Sequence, residues 1–169
     1  MVHSVELVFD PATEQAIRDI WDALAAAGVP SQAPASRPHA TLTVADRIAP
    51  DVDGVLAPVA AGLPLVCHIG AVALFGRSAP VLARLLVPGI ELLRVHADVH
   101  RLCTPYQSPG PKPHTAPGQW TGHVTLARHV APATLGKALR IAGRPSELAG
   151  RVVGLRRWDG NTRREYPIG

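Results

Sequence analysis

The chain has 169 residues, which is enough for one domain with a sizeable core, 1–169. Apolar residues make up 47% and charged residues 18% of the sequence, a composition that excludes an intrinsically disordered protein. The net charge of +4 and the pI near 9.7 suit an anionic partner but do not require one.

The sequence offers no sign of export or of membrane insertion. Two cysteines, Cys67 and Cys103, are too few for a disulfide framework and lack the spacing of a metal site. The first residues show no basic stretch followed by an apolar core, so we expect no signal peptide. No apolar run approaches the roughly 18 residues of a membrane span. We therefore expect a cytoplasmic protein with no membrane association, and no obligate protein partner is evident.

The first half of the chain predicts strand, helix, strand and helix, followed by a β-rich stretch. Residues 2–9 alternate as a strand does, and Asp10 then offers an N-cap ahead of Pro11. Gly28 offers the stop of that helix. Apolar residues at helical spacing define its buried face: Ile17, Ile20, Trp21 and Leu24. The later elements are a short strand 39–44, a weaker helix 51–61 and the β-rich stretch 63–75.

The second half repeats this order of elements at a nearly constant offset, although the two halves share little sequence. Its elements are a strand 81–87, a helix 90–102, a loop 104–120, a strand 121–130, a helix 132–142 and a strand 148–158. The loop 104–120 carries five prolines, which make it stiffer than a Gly/Ser linker. We expect it to form a wall of a cleft.

Two identical tetrads of the form His-x-Thr-Leu are the most informative residues, at 39–42 and 123–126. Composition alone predicts about 0.05 such tetrads in a chain of this kind, so a pair is unlikely to arise by accident. Both tetrads follow a proline-containing loop and open a predicted strand. Because side chains alternate along a strand, the His and Thr of each tetrad face one side and its apolar residues face the other.

This pattern favours chemistry at a phosphoester. Histidine, with a reference pKa near 6.5, can accept or donate a proton at neutral pH. In-line attack at phosphorus needs a base on the entering oxygen and an acid on the leaving oxygen, and two facing imidazoles supply both. The hydroxyls of Thr41 and Thr125 can donate hydrogen bonds to the non-bridging oxygens. This chemistry requires no metal and no other cofactor. For one tetrad alone, a core histidine satisfied on a β-strand would be the favoured interpretation, but the matched pair favours a shared site.

The segments Arg37-Pro38-His39-Ala40-Thr41-Leu42 and Trp120-Thr121-Gly122-His123-Val124-Thr125-Leu126-Ala127-Arg128 resemble the signature motifs of the two-histidine (2H) phosphoesterase superfamily. The resemblance is strongest to the bacterial branch of 2'-5' RNA ligases and RNA 2',3'-cyclic phosphodiesterases, and it covers essentially the whole chain. It implies an α+β fold with pseudo-twofold symmetry, in which two antiparallel sheets flank a central cleft and the helices lie outside.

The resemblance also implies a function and residue roles. His39 and His123 become the acid/base pair, and Thr41 and Thr125 become the groups that bind the phosphate. The implied partner is a nucleotide or RNA with a cyclic phosphate. Gly122 departs from the family, which often has proline before the second histidine. The assignment of acid and base stays open. Two alternatives to cyclic phosphate opening also stay open: a nucleotide- or RNA-binding module with little turnover, and 2'-5' RNA ligation.

Three further groups of residues have weaker signals. Tyr106 and Trp120 flank the proline-rich loop and can stack on a base, although packing of the loop explains them equally well. Arg128 continues the second motif but alternates away from the His123 face, which favours a place at the rim. Helical spacing is shared by His96, His100 and Cys103, but no second ligand set accompanies them, so we predict no metal site.

Overall fold

The computed structural model describes residues 1–32, 36–78 and 80–169. Residues 33–35, in the loop before the first tetrad, lie outside the described part of the chain. The strands are β1 (His3–Phe9), β2 (His39–Ala45), β3 (Arg47–Ile48), β4 (Leu65–Phe75), β5 (Val81–Leu86), β6 (Gln107–Ser108), β7 (His123–Ala127), β8 (Leu148–Asp159) and β9 (Arg164–Ile168). The helices are α1 (Pro11–Ala26), α2 (Val52–Ala60), α3 (Ile90–Cys103) and α4 (Pro132–Ala142).

The boundary between β1 and α1 follows from the chemistry of Asp10. Its carboxylate accepts hydrogen bonds from the backbone N–H groups of Ala12 and Thr13, each at 3.1 Å, and caps the helix as the sequence predicts. The same side chain accepts a bond from the backbone N–H of Arg151 at 2.7 Å. Asp10 therefore joins the start of α1 to strand β8 as well as capping the helix.

The strands pair antiparallel throughout, in the order β1-β2-β7-β5-β4-β8-β9, with β8 also paired to β1. Two antiparallel sheets, β9-β8-β1-β2 and β4-β5-β7, therefore meet at both of their edges. At one edge β4 pairs with β8 from Leu65 to Ile69, and at the other β2 pairs with β7 at Ala40 and Val124. This is the predicted α+β fold with two sheets, and the second edge is where the two tetrads meet.

The pairing register shows the pseudo-twofold symmetry directly. Ala40 pairs with Val124, which is its own counterpart in the second tetrad. At the opposite edge Leu65 pairs with Val152 and His68 pairs with Ala149. The offset that takes Ala40 to Val124 also takes His68 to Val152 and Leu65 to Ala149. At each edge, the offset that separates the two tetrads therefore relates the two paired strands to each other.

Helices lie in pairs outside the sheets. Helices α1 and α4 pack together and against β5, β7 and β8, while α2 and α3 pack together and against β2, β4, β8 and β9. The buried face of α1 contains Ile17, Ile20, Trp21 and Leu24, as the helical spacing predicts. Apolar side chains from both sheets and all four helices join in one buried cluster. Burial of this apolar surface is the main favourable term in folding.

Three features differ from the sequence-based expectation. The loop 104–120 contains a 3-10 turn at Thr104–Tyr106 and the two-residue strand β6, which pairs with β3. Strand β9 follows β8 and pairs with it, although no strand was expected there. Strand β7 is shorter than the predicted 121–130, because its pairing ends at Ala127.

Candidate active site

The pairing of Ala40 with Val124 sets the geometry of the two tetrads. Both of these side chains are buried in the core. The antiparallel register then places His39 beside Thr125 and Thr41 beside His123 on the opposite face. All four of these side chains are partly exposed. We call them the His/Thr quartet. Diagonal positions of this kind lie about 7–8 Å apart, which leaves room for one phosphate between the histidines.

Each histidine is oriented by a backbone carbonyl two positions before it. Nδ1 of His39 lies 2.7 Å from the carbonyl oxygen of Arg37, and Nδ1 of His123 lies 2.8 Å from that of Thr121. A carbonyl oxygen only accepts hydrogen bonds, so Nδ1 of His123 carries the proton and donates it. Nδ1 of His39 also lies 3.2 Å from Nη2 of Arg156, but its contact with the Arg37 carbonyl is shorter, so Nδ1 carries the proton in this ring as well. Nε2 is therefore the nitrogen of each ring that is available to a substrate.

The surroundings of His123 are largely apolar. The ring of Phe75 in β4 lies against it with a centroid separation of 4.6 Å. Burial of the imidazole lowers the pKa of His123 from its ordinary value of 6.5, and the charges of Arg128 and His39 act in the same direction. The hydrogen bond to Thr121 opposes this shift. The arrangement favours the neutral ring, which is the form that can accept a proton.

The surroundings of His39 are charged. Oε1 of Glu6 in β1 lies 3.6 Å from Nε2 of His39, and the Glu6 side chain is only 5% exposed. Nε of Arg156 in β8 donates to the other carboxylate oxygen at 2.8 Å, and Nη2 forms an ion pair with the same oxygen at 2.7 Å. Nη1 of Arg156 donates to Glu165. The hydroxyl of Ser4 donates to Oε1 at 2.6 Å. Glu6, Arg156 and Glu165 therefore form a cluster with one net negative charge beside His39, which we call the Glu6 cluster.

Both tetrads contain a β-bulge at their leucine. In β2 the partners of β1 step from Thr41 to Thr43, and in β7 the partners of β5 step from Thr125 to Ala127. The register shift reverses the alternation beyond Leu126, so Arg128 follows the strand on the quartet side. Simple alternation predicted the opposite face. The effect of the Arg128 charge on the pKa of His123 fits this placement.

The backbone carbonyl of each motif threonine accepts a hydrogen bond from a tryptophan. Nε1 of Trp120 donates to Thr41 at 2.9 Å, and Nε1 of Trp21 in α1 donates to Thr125 at 3.1 Å. These carbonyls lie at the bulges, where the ladder is locally disrupted. Each indole therefore binds the carbonyl oxygen of one motif threonine and stabilises the strand that carries that threonine's hydroxyl.

Trp120 also explains the glycine that departs from the family pattern. A Cβ at Gly122 would lie 2.6 Å from the Trp120 ring, closer than any side chain allows. The ring also stacks on His96 in α3 at 4.2 Å, and Nε2 of His96 lies 2.9 Å from the carbonyl oxygen of Thr115. Burial lowers the pKa of His96. The observed contacts of Trp120 are those of a packing residue.

The proline-rich loop is attached along β2. Nε2 of Gln107 donates to the hydroxyl of Thr43 at 2.8 Å, and the backbone N–H of Lys112 donates to the carbonyl of Val44 at 2.7 Å. Together with Trp120, these bonds connect the loop to successive positions of the strand that carries His39. The loop therefore borders the first tetrad.

Tyr106 lies apart from the quartet. It lines an open depression of about 270 Å³ with residues of β3, β6 and the 3-10 turn. The lining residues are Arg47, Ala49, Pro105, Tyr106, Gln107 and Ser108, none of which belongs to either tetrad. A stacking role for Tyr106 stays a prediction that the quartet geometry does not favour.

The described residues hold neither a metal-binding cluster nor a membrane-spanning helix. Across 1–32, 36–78 and 80–169, no three His, Cys, Asp or Glu side chains group in a way that could hold a metal ion. Within the same residues no helix has the length and apolar character needed to cross a bilayer.

Sequence reasoning missed three residues of the site, Glu6, Phe75 and Arg156, and the hydrogen-bonding role of a fourth, Trp21. Trp21 had a signal, since it falls on the predicted buried face of α1. Glu6 and Arg156 lie near opposite ends of the chain, and only the pairing of β1 with β8 brings them together.

The sequence profile of the 2'-5' RNA ligase superfamily matches residues 9–162, which include both tetrads and nearly all of the fold. The chain belongs to this superfamily. The resemblance to the two-histidine phosphoesterases is thereby confirmed at the level of the family. A comparison with curated protein sequences gives no match.

Solved structures show the same fold at low sequence identity. E. coli LigT in its apo form is 14% identical with a TM-score of 0.61, and the alignment covers 99% of this chain and 94% of that one. Kluyveromyces marxianus Usb1 with uridine monophosphate is 12% identical with a TM-score of 0.58, over 99% and 97% of the two chains. The MHV ns2 PDE domain is 12% identical with a TM-score of 0.57, over 99% of both chains. This superfamily member therefore shares the architecture of these proteins along its whole length.

Proposed function

We propose that this superfamily member is a metal-independent phosphoesterase that opens a 2',3'-cyclic or related cyclic phosphate on a nucleotide or an RNA end. The observation that carries the proposal is the His/Thr quartet. Its two imidazoles and two hydroxyls lie on one face of the sheet where β2 pairs with β7, and a backbone carbonyl orients each imidazole. Residues 1–169 would act as one domain of two interleaved lobes, because the site takes one tetrad from each half.

The reaction needs only groups that the quartet supplies. A water molecule attacks phosphorus while Nε2 of one histidine removes its proton. The bond from phosphorus to one ribose oxygen breaks, and Nε2 of the other histidine donates a proton to that oxygen. The hydroxyls of Thr41 and Thr125 donate hydrogen bonds to the non-bridging oxygens, on which negative charge is held as the new bond forms. The product is a ring-opened phosphate monoester.

Relatives with known ligands support the substrate class. Usb1 of Kluyveromyces marxianus has been solved with uridine monophosphate, and E. coli LigT with 3'-AMP. Both ligands are nucleoside monophosphates, which resemble the ring-opened product. A nucleotide or RNA end is therefore the partner that we propose for this chain.

A substrate panel tests the proposal. The purified chain is treated with EDTA and offered 2',3'-cyclic mononucleotides, RNA with a terminal cyclic phosphate, ADP-ribose cyclic phosphate and 2'-5'-linked dimers. Phosphorus NMR follows the ring opening and identifies the product isomer. We expect opening of at least one 2',3'-cyclic phosphate at an unchanged rate in EDTA. Binding without turnover across the panel would contradict an enzyme, and loss of turnover in EDTA would contradict the metal-independent mechanism.

A further inference from the structure

The three tryptophans of the chain have different surroundings. The indole N–H groups of Trp21 and Trp120 each donate to the carbonyl of a motif threonine, and both rings pack in the body of the protein. Trp158 in β8 is partly exposed. In the part of the chain that the structure describes, its side chain has no hydrogen bond, ring stack or cation–π contact. Because a buried tryptophan ordinarily engages its N–H, the setting of Trp158 needs a different explanation.

Strand pairing places Trp158 on the face of the sheet that carries the His/Thr quartet. Arg156 lies opposite Glu6 and bonds to it, and Glu6 in turn lies opposite Thr41. Arg157 points the other way, to helix α2. Trp158 comes two residues after Arg156, so alternation returns it to the quartet face. Along the strands, its row lies about 7 Å from the row of Thr41.

Phe75 occupies the equivalent position in the other half of the site. There the β5 residue opposite Thr125 pairs with Ala73 of β4, which makes Ala73 the counterpart of Arg156. Two residues further along the two strands are Phe75 and Trp158. The ring of Phe75 reaches the second motif histidine with a centroid separation of 4.6 Å. A ring at the Trp158 position can therefore reach the first half of the site.

The two aromatic residues differ in their neighbours. Beside Phe75, two alanines of β4 and β5 leave room for its ring to lie against the histidine. At the equivalent places beside Trp158 lie Arg156 and Glu6, a buried ion pair that fills the space next to His39. This explains why Trp158 does not stack on His39 as its counterpart stacks on the second histidine. Its ring is instead left facing the cleft.

We propose that Trp158 stacks on the nucleobase of the nucleotide whose cyclic phosphate lies at the quartet. This inference rests on the proposed function and names the part of the substrate that the first lobe binds. Phosphate and base are joined through one ribose, which spans the separation of the two rows. Stacking uses the π-face that every base has, so Trp158 would favour a nucleoside over a base-free ribose with little discrimination among bases.

A base-free ligand tests the proposal. We would measure the Kd of 3'-AMP and of methyl riboside 3-phosphate, which keeps the ribose and the phosphate but lacks the base, by isothermal titration calorimetry. Trp158→Ala should weaken 3'-AMP binding by roughly 5- to 150-fold, the effect of losing one base–aromatic stack, and Trp158→Phe should restore most of it. The base-free ligand should bind equally to all three proteins, which also shows that the variants keep the site folded.

Turnover should show the same distinction. A stack that is equally strong before and during the reaction changes KM and not kcat. On adenosine 2',3'-cyclic phosphate, Trp158→Ala should therefore raise KM with little change in kcat. On the cyclic phosphate of methyl riboside, the variant should match the wild-type protein in both constants. A loss of kcat on both substrates would mean a structural role and would overturn the proposal.

Tryptophan fluorescence gives an independent readout, because a base stacked on an indole quenches its emission. Addition of 3'-AMP should quench part of the emission of the wild-type protein. It should quench much less in Trp158→Phe, in which Trp21 and Trp120 remain. Equal quenching in the two proteins would place the affected ring elsewhere and would overturn the role of Trp158.

The outcomes separate this inference from the proposed function. If Trp158→Ala binds 3'-AMP as tightly as the wild-type protein, or loses equally on both ligands, the stacking role is wrong and the phosphoesterase function is untouched. Base-dependent binding through Trp158 without opening of any cyclic phosphate would contradict the proposed turnover and leave the stacking role supported. A wild-type protein that binds neither ligand would overturn both.

Discussion

Ala40 and Val124 lie directly opposite each other where strand β2 pairs with strand β7. This pair is buried, and it lies on the pseudo-twofold axis that relates the two tetrads. It sets each histidine beside the threonine of the other tetrad. The quartet is therefore a product of strand register, and each of its four side chains can be tested by a change that leaves the register intact.

The threonine hydroxyls should contribute to turnover more than to folding. Thr41→Val and Thr125→Val remove a hydroxyl but keep the shape, and we expect each to lower kcat by roughly 10²-fold, the effect of losing one hydrogen-bond donor to a developing charge. Thr41→Ser and Thr125→Ser keep the donor and serve as matched controls. Steady-state kinetics on a 2',3'-cyclic nucleotide measure the effect. Equal activity of the valine and serine variants would contradict a role in phosphate binding.

The two tryptophans should act as a symmetric pair. Trp21→Phe and Trp120→Phe keep a ring but remove the N–H that donates to Thr125 and to Thr41, respectively. A buried carbonyl without its donor costs about 1–3 kcal/mol, and we expect a loss of that order in the free energy of unfolding of each variant. Urea denaturation followed by circular dichroism measures it. A loss well below about 1 kcal/mol in both variants would mean that the indoles act through packing alone.

The pH dependence should reflect the neutral form of His123. Because its pKa is lowered from 6.5, His123 stays neutral below that pH and can still accept a proton. It becomes protonated, and turnover falls, only as the pH drops through the lowered pKa. We therefore expect the acidic limb of kcat/KM to fall below pH 6.5. Arg128→Ala removes a positive neighbour and should move this limb upward, while Arg128→Lys should leave it in place. An acidic limb above pH 6.5 in the wild-type protein would contradict a proton-accepting His123 with a lowered pKa.

Most of the fold follows from local sequence signals. The Asp10 cap, the helical spacing of the apolar residues in α1 and the alternation of β1 each have a local physical cause, and the structure confirms the elements that they predict. The repeated order of elements also predicted the pseudo-symmetry. The strands β3 and β6 were missed because two residues carry no periodicity, and they form only through their pairing with each other.

The site was partly hidden for a different reason. The alternation of β1 did not distinguish Glu6, because a polar residue on a strand ordinarily faces solvent. The Glu6 cluster exists because β8 pairs with β1 and delivers Arg156 to the same face, from near the other end of the chain. The bulges at Leu42 and Leu126 were equally invisible, because a register shift leaves no pattern in one strand alone.

The central claim is that His39 and His123 act together on one phosphate. Its most direct test is kcat for opening a 2',3'-cyclic nucleotide by His39→Ala, His123→Ala and the double variant, with His100→Ala on the outer helix α3 as the control. We expect each single variant to lose about 10²- to 10⁴-fold and the double variant to lose little more, because residues that act as a unit are not additive. Near-normal turnover in either single variant, with His100→Ala unchanged, would contradict the account.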